Sequence, residues 1–144
     1  MPKLEASRVI KASRDKVWEV ASDPESSLKF DPDTKSVKII KREGNTVTAS
    51  TTMMMGGRET TMTEKWTYHP KQRMESEILD GPLVGTGFQT LEEVPGGIKL
   101  TMHYDVSFKG VLGKVLGTLF AGSKLKEFAE EFLSKMAKYI EAQK

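Results

Sequence analysis

The chain has 144 residues, of which 38% are hydrophobic and 29% are charged, a composition typical of one globular domain covering residues 1–144. The 22 basic and 20 acidic residues leave a net charge of only +2, so we expect no nucleic-acid partner. The sequence contains no cysteine and no apolar run long enough to span a membrane, which favours a cytoplasmic protein without disulfides.

Two short helices are predicted after a first strand at residues 3–12. Ser13 is suited to cap a helix over residues 14–22, because its side chain can accept a hydrogen bond from the first turn. Asp23 followed by Pro24 is a second helix start, since proline is favoured at the first helical position. The next Asp-Pro pair ends this second helix, because the residue before a proline disfavours the helical conformation.

A meander of six antiparallel strands is predicted from a series of closely spaced turns. Gly44-Asn45, Gly56-Gly57 and Gly96-Gly97 belong to this series, and they separate segments in which apolar and polar residues alternate. Short turns of this kind join neighbouring antiparallel strands. The predicted strands span residues 36–43, 46–55, 58–68, 72–79, 84–94 and 98–108.

A long amphipathic helix is predicted at residues 111–143, where apolar residues recur every three or four positions. Glycines weaken its first half, and Gly122 followed by Ser123 predicts a break and a capped restart. We expect this glycine-rich half, around residues 110–122, to act as the hinge for ligand access.

The widths of these elements predict a cavity. Seven strands about 4.8 Å apart form a sheet roughly 34 Å wide, whereas one helix with its side chains is about 10–12 Å wide. The sheet must therefore curl to bury its apolar face, and a trough remains between sheet and helix. We predict an α+β fold in which a seven-stranded curved antiparallel sheet wraps around a long C-terminal helix. The elements follow one another as one strand, two helices, six strands and the long helix.

Large and flexible apolar side chains form the predicted lining of this trough. Methionine adapts to irregular shapes, which suits a permissive apolar site. The alternative is that these side chains pack into a core without a void. The candidate ligand-binding residues are Met53, Met62, Glu64, Trp66, Tyr68, Met74, Phe88, Met102, Tyr104, Leu116, Leu119, Phe120, Phe128 and Phe132.

Glu64 is the candidate with the most chemical interest, because its strand phase places it on the face shared by Met62 and Trp66. Burial raises the pKa of a carboxyl group, as a general base or a ligand-anchoring group requires. The alternatives are a β-bulge that turns Glu64 outward, or neutralisation by Arg8 or a lysine. Neither histidine has partners at metal-ligand spacing, so we expect no metal site.

Three local patterns resemble one known superfamily. Residues 12–20, which include Val17-Trp18, and the following Asp23-Pro24 resemble its first helix and the turn after it. Residues 96–101 look like its turn into the last strand, and residues 109–116 are similar to the glycine-punctuated start of its terminal helix. On these residues and the order of elements, the chain is identified as a member of the START-like (SRPBCC) superfamily, which has the birch-pollen-allergen-like helix-grip fold. The resemblance implies a central cavity for a hydrophobic or amphipathic small molecule.

Three functions are compatible with this sequence. We predict binding of a lipid, isoprenoid or polyketide-like molecule without chemistry, and therefore no catalytic residues and no cofactor. A cyclase, dehydratase or hydrolase would use Glu64 as its base, although no second inward acid or base completes such a site. An accessory or chaperone-like subunit, or a weak homo-oligomer, would present either a helix face or Met54 and Met55 near the Gly56-Gly57 turn as a partner surface.

Overall fold

The computed structural model describes residues 3–143, in which a strand and short helices precede six strands and two helices. All seven strands form one antiparallel sheet in the order β1-β7-β6-β5-β4-β3-β2. This order confirms the predicted six-stranded meander, with the first strand added beside the last. The elements are β1 (Lys3–Ile10), α1 (Arg14–Ala21), a 3₁₀ turn (Pro24–Ser26), α2 (Ser27–Phe30), β2 (Thr34–Glu43), β3 (Thr46–Met55), β4 (Arg58–His69), β5 (Arg73–Asp80), β6 (Leu83–Val94), β7 (Gly97–Phe108), α3 (Gly110–Leu119) and α4 (Lys124–Ala142).

The short helices begin where the sequence predicts. The Ser13 side chain accepts a hydrogen bond from the Lys16 amide at 3.2 Å, and α1 starts directly after it. Asp23 accepts from the Glu25 amide at 3.0 Å, which caps the 3₁₀ turn. The predicted second helix is therefore this 3₁₀ turn followed by the single turn of α2.

The C-terminal helix is divided at the predicted break. Helix α3 ends at Leu119 and α4 begins at Lys124, and between them Gly122 has a φ of +67°, a conformation that favours glycine. Ser123 precedes α4, but its hydroxyl donates to the Glu127 carboxylate at 2.8 Å instead of capping a backbone amide. The predicted break is therefore confirmed, whereas the predicted mode of capping is wrong.

The buried core is divided into two clusters. One joins α4 and α1 to β1, β6 and β7, with Ile10, Leu100 and Leu133 fully buried. The other joins α3 and the start of α4 to the sheet, and it contains both Met55 of β3 and Val106 of β7. Three strands separate β3 from β7, so the sheet must curve to bring these two side chains into one cluster.

In β6 the prediction that Phe88 faces the interior is wrong. Leu83, Gln89 and Leu91 are the buried residues of this strand, so Phe88 points to the opposite face. There its ring stacks on His103 at 4.6 Å and lies 4.2 Å below the Arg73 guanidinium. The outward aromatic ring is thus covered by neighbouring side chains of the sheet, which reduces the cost of leaving it outside the core.

Gly87 makes room for the side chain of Tyr104 on the inner face of the sheet. It pairs with Tyr104 across β6 and β7. A Cβ atom at this position would overlap the Tyr104 ring and the His103 carbonyl oxygen. The glycine therefore allows the tyrosine ring to lie across the neighbouring strand.

Gly87→Ala should destabilise the protein by about 1–3 kcal/mol, because the added methyl group forces the Tyr104 ring and the strand apart. The measurement is the free energy of unfolding in urea. Thr86→Val is the matched control, since Thr86 is exposed on the outer face, and it should change stability by less than about 0.5 kcal/mol. Equal effects of the two substitutions would contradict this account of Gly87.

Candidate functional site

A cavity lies in the interior between the two core clusters. It consists of two adjoining chambers of about 200 Å³ and 140 Å³. Each is smaller than a typical ligand pocket of roughly 300–1,000 Å³, but their shared walls allow one molecule to extend through both. The residues that line both chambers are Met53, Met62, Glu64, Trp66, Gln89 and Phe132.

The larger chamber is mostly apolar, with three polar side chains that converge on one wall. Glu64, Gln89 and Tyr104 are these polar groups, and they project from β4, β6 and β7. A few converging polar groups in an otherwise apolar enclosure can orient a ligand. The apolar lining is formed by Leu4, Met53, Met55, Met62, Trp66, Ile78, Leu83, Met102, Val106, Leu125, Phe128, Ala129 and Phe132.

Glu64 faces this cavity even though the sheet contains a bulge beside it. Thr63 pairs with Asp80, whereas Glu64 pairs with Ile78, so Leu79 is the extra residue. The bulge therefore lies in β5, and the alternation of β4 continues unchanged through Glu64. The alternative in which a bulge turns Glu64 outward does not apply.

Neutral donors surround the Glu64 carboxyl group. The Ser76 hydroxyl and the Tyr104 hydroxyl, the latter at 3.4 Å, both donate to Oε2. The Gln89 amide in turn donates to the Tyr104 oxygen at 3.3 Å. Within residues 3–143 no hydrogen bond reaches the other carboxyl oxygen, Oε1. Because Glu64 lines both chambers, this oxygen is available to a bound molecule.

Burial raises the pKa of Glu64 to about 7, although the hydrogen bonds from Ser76 and Tyr104 lower it in part. The expected alternative of an ion pair with Arg8 is not present, because Arg8 is exposed on β1 and makes no salt bridge in the described chain. Burial, and next the nearby charge of Glu64, also raise the pKa of Tyr104 above its usual range. The site thus holds a carboxyl group that changes its charge near neutral pH.

Tyr68 belongs to the smaller chamber only. Its ring meets that of Trp18 edge to face, with centroids 5.9 Å apart, where α1 packs against β4. Burial raises its pKa to about 12, so its hydroxyl is a neutral hydrogen-bonding group at physiological pH. Trp18 itself lies outside the two chambers and packs against the first core cluster.

The structure brings together most, but not all, of the predicted lining. Met74 and Leu116 are fully buried and lie outside both chambers, within packed parts of the interior. Leu119 is 38% exposed and lies over Gly56 at the surface, and Phe88 is on the outer face. The predicted residues that line one or both chambers are Met53, Met62, Glu64, Trp66, Tyr68, Met102, Tyr104, Phe128 and Phe132.

Several lining residues are not among the predicted ones. Gln89 is missed because the wrong face of β6 is predicted to be buried. Alternation counted from the apolar Leu91 would place Gln89 inside. The segment between α1 and β2 also lines the smaller chamber, and no sequence signal indicates where it docks. The missed residues are Leu4, Ala21, Ser22, Asp23, Pro24, Ser26, Ser27, Phe30, Thr34, Thr51, Met55, Ile78, Leu83, Gln89, Val106, Leu125, Ala129 and Met136.

A surface groove adjoins the larger chamber near the turn between β3 and β4. Phe128 borders both spaces, and its ring meets that of Phe120 edge to face at 5.4 Å. Phe120 therefore lies on the groove side and not in the chamber. The methionines of this region are divided, since Met55 is buried and Met54 borders the groove, so they do not form one exposed patch.

No three of the His, Asp and Glu side chains within residues 3–143 are grouped so that they could hold a metal ion. The helices of the same region are all too short or too polar to cross a membrane.

Glu64→Gln should make the stability of the protein less dependent on pH. The pKa of Glu64 is raised from 4.5 to about 7, so between these values the folded state keeps a proton that the unfolded state has released. The stability associated with protonated Glu64 is fully present below pH 4.5 and is lost as the pH rises to about 7, by on the order of 3 kcal/mol. Glutamine stays neutral, so the variant should be more stable than the wild type at about pH 8 and similar to it at about pH 4.

Urea unfolding of both proteins across this pH range is the measurement. Glu77→Gln is the matched control, because Glu77 is exposed on β5 and faces away from the cavity, and this variant should follow the wild type. Parallel pH profiles for wild type and Glu64→Gln would show that the carboxyl group is not perturbed.

Known structures share this architecture. TTHA0849 from Thermus thermophilus matches with a TM-score of 0.83 and 16% identity, covering 96% of this chain and 97% of that one. Zhui aromatase/cyclase from Streptomyces sp. R1128 matches with a TM-score of 0.77 and 18% identity, covering 97% and 93%. A START superfamily protein from Mycobacterium smegmatis matches with a TM-score of 0.73 and 17% identity, covering 96% and 94%. At these identities the likeness shows a common fold, which confirms the predicted helix-grip arrangement.

No curated protein sequence matches the chain. The model of a family described as "Polyketide cyclase / dehydrase and lipid transport" matches residues 1–141, nearly the full length of the sequence. The chain therefore belongs to the polyketide cyclase/dehydrase and lipid transport family.

Proposed function

We propose that this protein binds a hydrophobic or amphipathic small molecule, such as a lipid, an isoprenoid or a polyketide-like compound, in the two-chamber cavity and does not transform it. The observation that carries this proposal is the mostly apolar space between the core clusters, with three polar groups on one wall. Membership of a family whose description includes lipid transport supports it.

The apolar lining is the source of binding free energy. Moving a hydrocarbon chain from water into such a chamber contributes about 0.8 kcal/mol for each methylene, so eight carbons contribute about 6 kcal/mol before the entropic cost of binding. Methionine and phenylalanine side chains can adjust to ligands of different shape, which suits a carrier more than a highly selective receptor.

Ala129→Leu should block binding, because Ala129 is a small side chain on α4 that faces the larger chamber. A leucine there fills part of the 200 Å³ that a ligand would occupy. We expect at least about a tenfold loss of affinity for N-phenyl-1-naphthylamine, an uncharged fluorophore whose emission rises in apolar surroundings.

Ala142→Leu is the matched control, since Ala142 is exposed at the C-terminal end of the same helix, and its affinity for the fluorophore should equal that of the wild type. Absence of fluorophore binding by the wild type, or equal binding by both variants, would count against the cavity as a ligand site. Native mass spectrometry of freshly purified protein would reveal a ligand that stays bound.

An enzyme is the second candidate, and the Glu64–Tyr104 pair is the observation that favours it. A carboxyl group with a pKa of about 7 can accept a proton near neutral pH, and the Tyr104 hydroxyl 3.4 Å away can hydrogen-bond to a substrate oxygen. One similar structure is that of an aromatase/cyclase. The corresponding reaction would be cyclisation or dehydration of a polyketide-like substrate, with Glu64 as the base.

Glu64→Gln separates the two candidates. If Glu64 is a base, the variant still binds the fluorophore but loses turnover of a polyketide-like thioester by at least about a hundredfold. The measurement is product formation by the wild type and the variant, followed by mass spectrometry. No turnover by the wild type would exclude the enzyme for that substrate class and leave the carrier.

A further inference from the structure

Within residues 3–143, the charged side chains that line the cavity are acidic and none is basic. This bears on the kind of ligand that the proposed binding site would take. Among the described residues that line either chamber, none is Lys, Arg or His. The acidic side chains in the lining are Glu64 and Asp23. An anionic ligand head would therefore meet no positive partner inside.

Two basic side chains near the cavity are held outside it by acidic partners. Arg42 is close enough to Tyr68 for its charge to act on that hydroxyl, but its side chain is 58% exposed and lies 3.9 Å from Glu25. Lys135 of α4 is held by Asp31 at 3.3 Å and by Asp33 at 3.5 Å. Neither of these two basic side chains lines a chamber.

The polar wall of the larger chamber offers a free hydrogen-bond acceptor at Glu64. Ser76 and Tyr104 both donate to Oε2 of Glu64, so their hydroxyl protons are already used within the protein, and Gln89 uses one N–H of its amide to bond to Tyr104. Oε1 of Glu64 has no partner in the described chain, and its carboxyl group borders both chambers. A ligand head that donates a hydrogen bond would complete this network.

We propose that the ligand is an amphiphile with a hydrogen-bond-donating head that is not anionic, such as an alcohol, a phenol or a protonated amine, and that the cavity discriminates against apolar carboxylates such as free fatty acids. The donor of the head bonds to Oε1 of Glu64, and the hydrocarbon part lies among the methionine and phenylalanine side chains of both chambers.

This discrimination should strengthen as Glu64 ionises. The groups that face Glu64 are Ser76 of β5, Gln89 of β6 and Tyr104 of β7, which are neutral, and the apolar side chains of α4. Asp23, which lines the smaller chamber, is the other acidic group and adds negative charge. A carboxylate ligand is therefore repelled more strongly at high pH, whereas a protonated amine is attracted more strongly.

Three ligands with the same ten-carbon chain test the proposal. Decan-1-ol, decylamine and sodium decanoate are each used to displace N-phenyl-1-naphthylamine from the full chain at about pH 8, where Glu64 is mostly ionised. We expect decanoate to need at least about a tenfold higher concentration than the alcohol or the amine. At about pH 6 the difference between decanoate and the alcohol should shrink.

Two matched variants locate the effect. Glu64→Gln removes the charge and adds an amide donor, so the amine should lose at least about tenfold in affinity and decanoate should gain relative to the alcohol. Glu77→Gln makes the same substitution on the exposed outer face of β5 and should keep the selectivity of the wild type.

The outcomes separate this inference from the binding function on which it rests. If decanoate displaces the fluorophore as well as decan-1-ol does, or if Glu64→Gln leaves the order of the three ligands unchanged, the selectivity proposal is overturned and the cavity remains a ligand site. If the wild type binds neither the fluorophore nor any of the three ligands, both proposals are overturned.

Discussion

The interior of this protein depends on how one narrow helix covers one wide curved sheet. Helix α4 packs most closely against β1 and α1, at one side of the sheet. The other side is closed by α3 and the beginning of α4, which form the second core cluster with β3 and β7. The cavity lies between the two clusters, where side chains of α4 and of the central strands β4 and β5 line the same space. The empty space is therefore a consequence of the geometry of the fold and not a local packing defect.

The polar groups of the cavity depend on the same geometry. A carboxyl group without a cation would be very unfavourable in a packed core, because burial disfavours its charged form. Beside a cavity, Glu64 keeps one oxygen bonded to Ser76 and Tyr104 and leaves the other open. Gly87 contributes indirectly, since a larger residue would overlap the Tyr104 ring. Ionisation of the buried Glu64 lowers the stability of the folded protein near neutral pH. A residue that lowers stability in this way is typical of a binding or catalytic site.

The regular elements could be predicted because their signals are local. Alternation in β4 places Met62, Glu64 and Trp66 on one face, and the structure has all three in the cavity wall. The same argument fails in β6, where the apolar character of Phe88 predicts an inward side chain. The inner position beside it is occupied by Gly87, and a glycine carries no hydrophobic signal that could reveal the phase.

The boundary between cavity and packed core could not be predicted from residue type. Met74 and Leu116 are as apolar as Met53 and Phe132, yet the first two are fully packed and the second two face open space. Which apolar residue meets a void depends on how distant elements meet, and composition carries little of that information. The contribution of the segment between α1 and β2 to the smaller chamber is another long-range effect of this kind.

The position of Phe128 bears on how a ligand would enter and leave the proposed binding site. Its ring is the common wall of the inner chamber and the surface groove, and it rests edge to face on Phe120. A rotation of this one side chain would join the two spaces without any movement of the sheet, on the fast timescale of rotamer changes and not that of backbone rearrangement. If the proposed binding function holds, residue 128 would affect how quickly a ligand is exchanged, while the polar groups around Glu64 would affect which ligand is preferred.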